Sequence, residues 1–511
     1  MSDNLSSMRK VVEWAEKRGE LLTIDREIDP IHDLAGFIAS MEGGPVLLFN
    51  NIKGYPGCRV ISNLVATRKR LADVIGAESI EYTGKAFLDL VKNPIPPTVV
   101  ANAPCQENVI TQDIDILKTV PVPQQTPRDA GRIITGGNVL VKVPGTDAFN
   151  ISFHRMAVVG KDYTGIALSE LRHLTEIFLK ARKEKKPVPV TVNIGGGIGT
   201  PITAAGATTS SLTPMGYDEL GLMGAIDRAP VKIVPARTVE GAWSLAEAEW
   251  VLEGYITQDL VHEETHAQPG KHYFMGEYPG TLGFGWMVPK FQVTAITHRN
   301  NPMYFFPLAS YLDALNMMSC LVEANVYHAG KTVNPDIFDT CYVLPAMRGY
   351  LGTVIRLNKR RRSDDGFETA FLLSAAASSG ELRWIIAVDK DINLTDPNDV
   401  LWSMITRCDP KNDIWTIRSG AAETEHTGES GMGNKALLDA TASWDSAKYL
   451  ERARFPKVDL ENWISKEQIA DIKAKQACIG HAQTLVNLAI DKEGDWSPKG
   501  INQPYKGPAV E

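Results

Sequence analysis

NVLVKVPGTDAFNISFHRMAVV, residues 138–159, is the stretch that most clearly predicts the architecture of the central part of the chain. Its valines at 139, 141 and 143 alternate with residues of other kinds, which is the period of a β-strand. A second alternating run follows at 291–297. Helices are predicted at 169–184 and 217–228, and the glycine-rich segment NIGGGIGTP (193–201) lies between them. The middle of the chain is therefore predicted to be β-rich with inserted helices.

The parts of the chain on either side of this region are predicted to be α/β. An amphipathic helix that ends at Gly19 is followed by a predicted strand at 21–28, and proline-rich VPVPQQTP (120–127) marks a boundary. Beyond about residue 320, a strand at 351–357, a helix at 366–379 and a strand at 384–388 predict a parallel strand pair. The predicted organisation is an α/β domain at 1–115, a β-rich domain at 116–320, an α/β domain at 321–485 and a loosely ordered tail at 486–511.

Composition narrows the class of protein. The 511 residues carry a net charge of −8, with 22% charged and 44% hydrophobic residues, as in a globular protein. An acidic chain lacks the basic footprint of a nucleic-acid-binding protein. No run of about 18 apolar residues and no signal-peptide pattern is present, and the six cysteines form no CxxC motif. A cytoplasmic protein with reduced thiols, without nucleic-acid partners and without a membrane span, is expected.

The most conspicuous short motif is HEETH at 262–266, followed by His272. HExxH on a helix places two histidines on one face with a glutamate as general base, as in zinc peptidases. The residues before the motif, EGYITQ (253–258), favour a strand instead of a helix. A zinc metallopeptidase is therefore kept as an alternative function, beside the interpretation that these histidines are incidental.

A sparser set of metal-ligating residue types consists of Asn150, His173 and Glu219. Asn150 begins the segment NISFHRMAVV, and the other two residues lie in the first turns of the two predicted helices. An amide oxygen, an imidazole nitrogen and a carboxylate suit Mn²⁺ or Mg²⁺ shared with a phosphate better than structural zinc. Each residue singly also fits an ordinary structural role, so both interpretations stay open.

Arg155 and Glu277 are candidate catalytic residues. Arg155 is a charge inside an otherwise apolar strand, and Glu277 lies in the glycine- and proline-punctuated loop MGEYPG. In a regular strand, Asn150 and Arg155 would point to opposite faces. Both can serve one site only if the strand bulges or if Asn150 belongs to the preceding turn. The stretch 303–306 with Tyr311 offers either an aromatic-lined pocket or ordinary core.

Together these motifs resemble the UbiD-like decarboxylases, which use prenylated FMN. The resemblance runs over roughly 8–460 and rests on the joint order of the segments PVPQQTPRDAGR (121–132), NISFHRM (150–156), GYDELGLMGAI (216–226), EWVLEGYI (249–256), EYPG (277–280), THRNN (297–301) and LLDATASW (437–444). It implies a split β-barrel cofactor domain, similar to that of flavin reductases, between an N-terminal α/β domain and a C-terminal α/β domain used in dimerisation.

The resemblance also implies roles for individual residues. Asn150, His173 and Glu219 match the metal ligands, with Mn²⁺ (or Mg²⁺) bridging to the cofactor phosphate and K⁺ nearby. Arg155 matches the arginine that contacts cofactor and substrate carboxylate, and Glu277 matches the acid that transfers the proton. The positions along which the family's backbone wraps the cofactor are Ile151, Ser152, Thr213 and Pro214.

The chain departs from the family pattern at two places. Many relatives carry a second glutamate five residues before the catalytic one, and here that position is His272. The usual Glu–Arg–Glu network is therefore predicted to be Glu277 and Arg155 with another group. Relatives that act on dihydroxylated or trihydroxylated benzoates often carry a GxxEH motif. Segment 305–313 lacks its histidine, so no catechol-type proton relay is expected.

The implied function is reversible non-oxidative decarboxylation of an aromatic, heteroaromatic or α,β-unsaturated carboxylic acid. The resemblance implies a covalent adduct between substrate and prenylated FMN, loss of CO₂ and protonation by Glu277. It also implies a flavin prenyltransferase of the UbiX type as cofactor supplier, and a homodimer or higher homo-oligomer. An FMN-dependent oxidoreductase on a similar barrel is the other alternative to the zinc peptidase.

Overall fold

The computed structural model describes residues 3–169, 172–206, 210–264, 275–283, 285–418, 433–447, 450 and 459–477. The chain divides into a compact unit, Met1–Glu451, and a second unit, Arg452–Glu511. In the second unit the described residues include a short 3₁₀-helix, Leu460–Asn462, and an α-helix, Lys466–Ala477. The predicted tail at 486–511 lies outside the described residues. No described helix combines the length and the apolar character needed to cross a membrane.

The N-terminal part of the first unit is α/β, as predicted. Its elements are α1 (Met8–Lys17), β1 (Leu21–Ile24), α2 (Asp33–Ser40), β2 (Val46–Phe49), β3 (Arg59–Ser62), α3 (Arg68–Ile75), α4 (Thr83–Lys92), β4 (Thr98–Val99) and β5 (Asn108–Ile110). Ser7 caps α1 by accepting a hydrogen bond from the backbone N–H of Lys10. The first strand is shorter than the predicted 21–28: it ends at Ile24, with four residues between it and the turn at Asp29-Pro30.

The middle of the chain is β-rich with inserted helices, also as predicted. Its elements are α5 (Ile116–Thr119), β6 (Ile133–Ile134), β7 (Asn138–Lys142), β8 (Phe149–Phe153), β9 (Met156–Ala157), β10 (Tyr163–Gly165), α6 (His173–Lys183), β11 (Val188–Ile194), α7 (Gly199–Gly206), α8 (Glu219–Asp227), β12 (Lys232–Pro235), β13 (Trp243–Leu245), β14 (Trp250–His262), β15 (Met287–His298) and β16 (Met303–Phe305).

The main sheet of this region runs in the order β10-β15-β14-β11-β7-β8. Its neighbouring strands pair antiparallel, with β14 and β15 as the longest pair. β5 pairs with β15, and β16 pairs with β3 of the N-terminal sheet. Each region therefore contributes a strand to its neighbour, which fixes the N-terminal and middle regions against each other.

The C-terminal region begins with the long helix α9 (Leu312–Val333), which runs through position 320 and joins the second and third predicted domains. It is followed by β17 (Phe338–Tyr342), β18 (Gly352–Leu357), α10 (Phe367–Ser378), β19 (Trp384–Asp389), α11 (Pro397–Arg407), β20 (Ile414–Arg418) and β21 (Asn434–Ala440). β18 and β19 pair in parallel across α10, which confirms the predicted strand–helix–strand unit. The described chain is thus a multi-domain α/β protein.

Candidate active site

A buried cluster forms where β8, α6 and α8 meet. Glu219 is the first residue of α8, where the helix N-terminus favours an anion. Its Oε2 atom accepts hydrogen bonds from the Asn150 side-chain amide at 2.8 Å and from the backbone N–H of Ile151 at 2.6 Å. Nδ1 of His173, the first residue of α6, lies 3.3 Å from Oε1 of Glu219. The structure therefore brings the three predicted metal ligands together.

Each of the three side chains has a buried polar atom without a hydrogen bond. Oδ1 of Asn150, Nε2 of His173 and Oε1 of Glu219 are buried and have no hydrogen-bond partner among the described residues. An unsatisfied buried polar atom costs about 1–3 kcal/mol, and a bound cation would satisfy the two oxygens of this set. Two atoms bound to one Mg²⁺ at a right angle are about 3 Å apart, close to the 3.3 Å between Oε1 of Glu219 and Nδ1, the other ring nitrogen of His173. The oxygen and nitrogen donors fit Mn²⁺ or Mg²⁺.

Arg155 forms the second part of the site. Its Nε and Nη2 atoms donate to the two carboxylate oxygens of Glu263 at 3.1 Å and 3.0 Å. Its Nη1 atom donates to Glu277. Burial alone would lower the pKa of Arg155, but the two carboxylates outweigh this effect, and the pKa is raised. One guanidinium thus holds two carboxylates, of which Glu263 is fully buried and Glu277 is 16% exposed.

The second carboxylate was not predicted. The sequence has His272 where many relatives have a second glutamate, so it predicts that some other group pairs with Arg155. In the structure this group is Glu263 of the HEETH motif. This motif does not begin on a helix, since His262 is the last residue of strand β14. Glu263 also accepts the backbone N–H of Trp286 at 3.0 Å. Thr265, His266 and His272 lie outside the described residues.

The structure shows how Asn150 and Arg155 can both serve one site. The explanation is neither a bulge in the strand nor a position of Asn150 in the preceding turn. Asn150 lies within β8, paired with Val141, and not in the preceding turn. The strand ends at Phe153, and His154 and Arg155 belong to no strand before β9 begins at Met156. This break, instead of a bulge, frees Arg155 from the alternation of the strand.

His154 is buried beside Arg155 and is held in one tautomer. Its Nδ1 atom lies 2.8 Å from the carbonyl oxygen of Ala167, and its Nε2 atom lies 2.9 Å from the hydroxyl of Ser152. A carbonyl only accepts, so Nδ1 carries the proton and Ser152 donates to Nε2. Burial lowers the pKa of His154 to about 4. A neutral imidazole therefore fixes the direction of the Ser152 hydroxyl.

Glu277 lies in a tight turn. Its backbone N–H donates to Thr281 and its carbonyl accepts from Gly280, both at 2.8 Å. A Cβ atom at Gly283 would lie 2.6 Å from Cγ of Glu277, so the absence of a side chain there makes room for the carboxylate. The turn thus presents Glu277 towards Arg155.

A cavity of about 650 Å³ opens beside these residues. Arg155, Glu277 and His154 line it, together with Arg172, which directly precedes His173. The aromatic residues in its wall are Phe153, Tyr278, Trp286 and Tyr350. Met303, Tyr304, Phe305 and Phe306 are at most 1% exposed. The interpretation of 303–306 as ordinary core is therefore confirmed, and that of an aromatic-lined pocket is wrong.

The remaining predicted cofactor-contacting residues fall into two places. Ile151 and Ser152 lie in β8 beside Asn150 and are buried. Thr213 is buried and Pro214 is exposed in the segment that leads into α8. The backbone N–H and hydroxyl of Thr213 contact the hydroxyl of Ser210. Ile151 and Ser152 directly follow Asn150, and Thr213 and Pro214 precede Glu219 by a few residues. Contact of these four residues with a cofactor stays a prediction.

Comparison with known families identifies the class of enzyme. Three models of 3-octaprenyl-4-hydroxybenzoate carboxy-lyase domains match in succession: the N-terminal domain at 12–87, the Rift-related domain at 98–310 and the C-terminal domain at 315–440. The protein is therefore a carboxy-lyase.

Individual relatives agree with this class. The chain is 31% identical over 471 residues to the gallate decarboxylase of Lactiplantibacillus plantarum, covering 86% of this chain and 95% of the relative. It superposes on apo Klebsiella pneumoniae 3,4-dihydroxybenzoic acid decarboxylase (AroY) with a TM-score of 0.81 and 29% identity, covering 90% and 99% of the two chains.

A third relative has been solved with a flavin. The UbiD-class enzyme HmfF of Pelotomaculum thermopropionicum, in complex with FMN, superposes with a TM-score of 0.80 and 27% identity, covering 90% of this chain and all of the other. An evolved dimeric form of HmfF has been solved with prFMN. The chain belongs to the UbiD family.

Proposed function

We propose that the chain catalyses the reversible, non-oxidative decarboxylation of an aromatic, heteroaromatic or α,β-unsaturated carboxylic acid with prenylated FMN. The observation that carries this proposal is Arg155, held between Glu263 and Glu277 in the wall of the cavity. The flavin complexes of HmfF and the decarboxylase activities named for the relatives support it.

Arg155 orients the substrate carboxylate. Its planar guanidinium is fixed on one edge by the two oxygens of Glu263, so the plane in which its Nη1 and Nη2 groups can meet a carboxylate is defined. The apolar and aromatic wall of the cavity suits a planar ring. A substrate with a carboxylate at one end and an unsaturated carbon skeleton therefore fits the arrangement.

The position of Glu277 suits it to act as the proton donor. Both Glu263 and Glu277 pair with Arg155. Glu277 lines the cavity, whereas Glu263 is fully buried, so Glu277 is the carboxyl group that can reach a substrate and transfer a proton to its carbon.

The cofactor is proposed to lie between this centre and the buried cluster. When bound, prenylated FMN supplies an electron sink for the electrons of the breaking carbon–carbon bond. Asn150, His173 and Glu219 would hold Mn²⁺ or Mg²⁺ next to its phosphate, with K⁺ nearby. The residues proposed along the flavin are Ile151, Ser152, Arg155, Thr213 and Pro214.

Further properties are proposed from the family. The middle domain, 116–320, is proposed to be a split β-barrel, between the α/β domains at 1–115 and 321–485. The protein is proposed to act in the cytoplasm as a homodimer or higher homo-oligomer, and a flavin prenyltransferase of the UbiX type is proposed to supply the cofactor.

One preparation tests the function and its alternatives. The chain is co-expressed with a flavin prenyltransferase, and the bound flavin is analysed by mass and absorbance and the metal by elemental analysis. Prenylated FMN with Mn²⁺, and CO₂ release from an acid panel that includes gallate, 3,4-dihydroxybenzoate, vanillate and a furan carboxylate, is expected. Zinc without flavin would support the peptidase, and unmodified FMN with hydride transfer would support the oxidoreductase; either result overturns the proposal.

A further inference from the structure

The turn 275–283, which carries Glu277, is held by a residue of the C-terminal region. Nε of Arg348 donates a hydrogen bond of 2.9 Å to the backbone carbonyl of Tyr278, the residue next to Glu277. The Nη2 atom of Arg348 donates to the carbonyl of Ser310. The same guanidinium therefore ties the turn to the segment that precedes α9.

The fit between the turn and Arg348 is close. A Cβ atom at Gly280 would lie 3.2 Å from Nη2 of Arg348, and Gly280 has a positive φ of +91° that suits glycine. The turn backbone thus packs directly on the guanidinium. The Tyr278 ring packs edge-on against Tyr350, with centroids 5.3 Å apart. Both tyrosines line the cavity.

Arg348 adopts a backbone conformation that residues with a side chain rarely take. Its φ is +53°, and the following residue, Gly349, is also left-handed at +76°. Such a conformation persists only where the surrounding structure fixes it, and it is often found at functional sites. Burial lowers the pKa of Arg348, and the charge of Glu42 opposes this effect. Arg348 remains a cation, because an arginine is not deprotonated in proteins.

From these contacts we infer that Arg348 is a positioning residue, which fixes the turn 275–283 so that Glu277 stays in contact with Arg155. It is not among the described residues that line the cavity, so it acts through the backbone of the turn. The inference rests on the proposed function, in which Glu277 transfers the proton. It makes the C-terminal region part of the catalytic apparatus of the middle region.

Hydrogen–deuterium exchange of the full-length protein tests the structural part without a substrate. Arg348→Met keeps an unbranched, flexible side chain and removes the guanidinium with its donors. We expect deuterium uptake in peptides covering 275–283 to rise at least twofold at early times, with other peptides unchanged. Arg407→Met is the matched control, because Arg407 pairs with Asp389 and Asp391 in the same region without lining the cavity. Unchanged uptake at 275–283, or a rise spread over the chain, overturns the inference.

Kinetics of the reconstituted holoenzyme test the functional part, on the panel acid that the wild type decarboxylates. We expect Arg348→Met to lower kcat about tenfold, and Arg348→Lys to lower it less. The double variant Arg348→Met/Glu277→Gln should be within twofold of Glu277→Gln alone. Losses that multiply overturn the inference and leave the role of Glu277 intact. Near-normal turnover by Glu277→Gln overturns the proposed role of Glu277 instead.

Discussion

Glu263→Gln is the substitution that most directly tests how the site is built. The wild-type carboxylate is fully buried and accepts two hydrogen bonds from Arg155, at 3.1 Å and 3.0 Å, and one from the backbone N–H of Trp286 at 3.0 Å. Glutamine keeps the shape of the side chain but replaces one accepting oxygen with an NH₂ group. This group must face a donor of Arg155 whichever oxygen it replaces, because both oxygens accept from Arg155, and in place of Oε2 it would also face the backbone N–H of Trp286.

The magnitude follows from these contacts. A hydrogen bond to a charged group contributes about 1.5–3 kcal/mol. The substitution removes at least one such bond and places two donors against each other, while the other oxygen still accepts. We expect a loss of about 3 kcal/mol in the interactions that orient Arg155. If that orientation is needed in the transition state, kcat/KM falls about 10²-fold, at 1.36 kcal/mol per tenfold.

The assay is CO₂ release by the reconstituted holoenzyme at several pH values, with Glu264→Gln as the control. Glu264 is the neighbouring glutamate of the same motif, so the control changes the same functional group one position away. Glu263→Gln also removes one of the two negative charges that pair with Arg155. Equal kcat/KM for the two variants, within twofold of wild type, would refute the reasoning.

Three further predictions concern the turn, the buried cluster and the stability of the fold. Gly283→Ala should lower turnover at least tenfold with little change in melting temperature, because its Cβ meets Cγ of Glu277 at 2.6 Å; wild-type activity would contradict the described turn. Glu219→Gln should reduce the bound divalent cation, measured by elemental analysis, well below one per chain; full cation content would show that Glu219 and His173 do not share a metal. Burial raises the pKa of the Asp227 carboxyl from 3.8 to about 8. Between these pH values the native state keeps a proton that the unfolded chain has lost, so the free energy of unfolding falls as the pH rises towards 8. Asp227→Asn should therefore raise the melting temperature at pH 8 more than at pH 5, and an equal change at both pH values would count against this assignment.

Local patterns in the sequence predict much of the fold. The parallel pair of β18 and β19 across α10 was predicted from the apolar runs and the helix between them, and the structure confirms it. The β-rich character of the middle region follows in the same way from alternating valines. These features are predictable because strand and helix periods are properties of neighbouring residues. The order of the family motifs also predicts Asn150, His173 and Glu219 as one set. The structure brings these side chains together, and their role as metal ligands stays a prediction.

The tertiary structure decided how the charged site is assembled. A buried arginine at position 155 requires carboxylate partners, but the sequence does not indicate which glutamates supply them. The end of β14 places Glu263 against Arg155 across 108 residues of sequence, and the break after Phe153 frees Arg155 from the strand. Arg348 reaches the Glu277 turn across 70 residues. Such pairings depend on where strands end and on how segments far apart in the sequence pack together. The periodicity of helices and strands describes only neighbouring residues, so it does not predict these contacts.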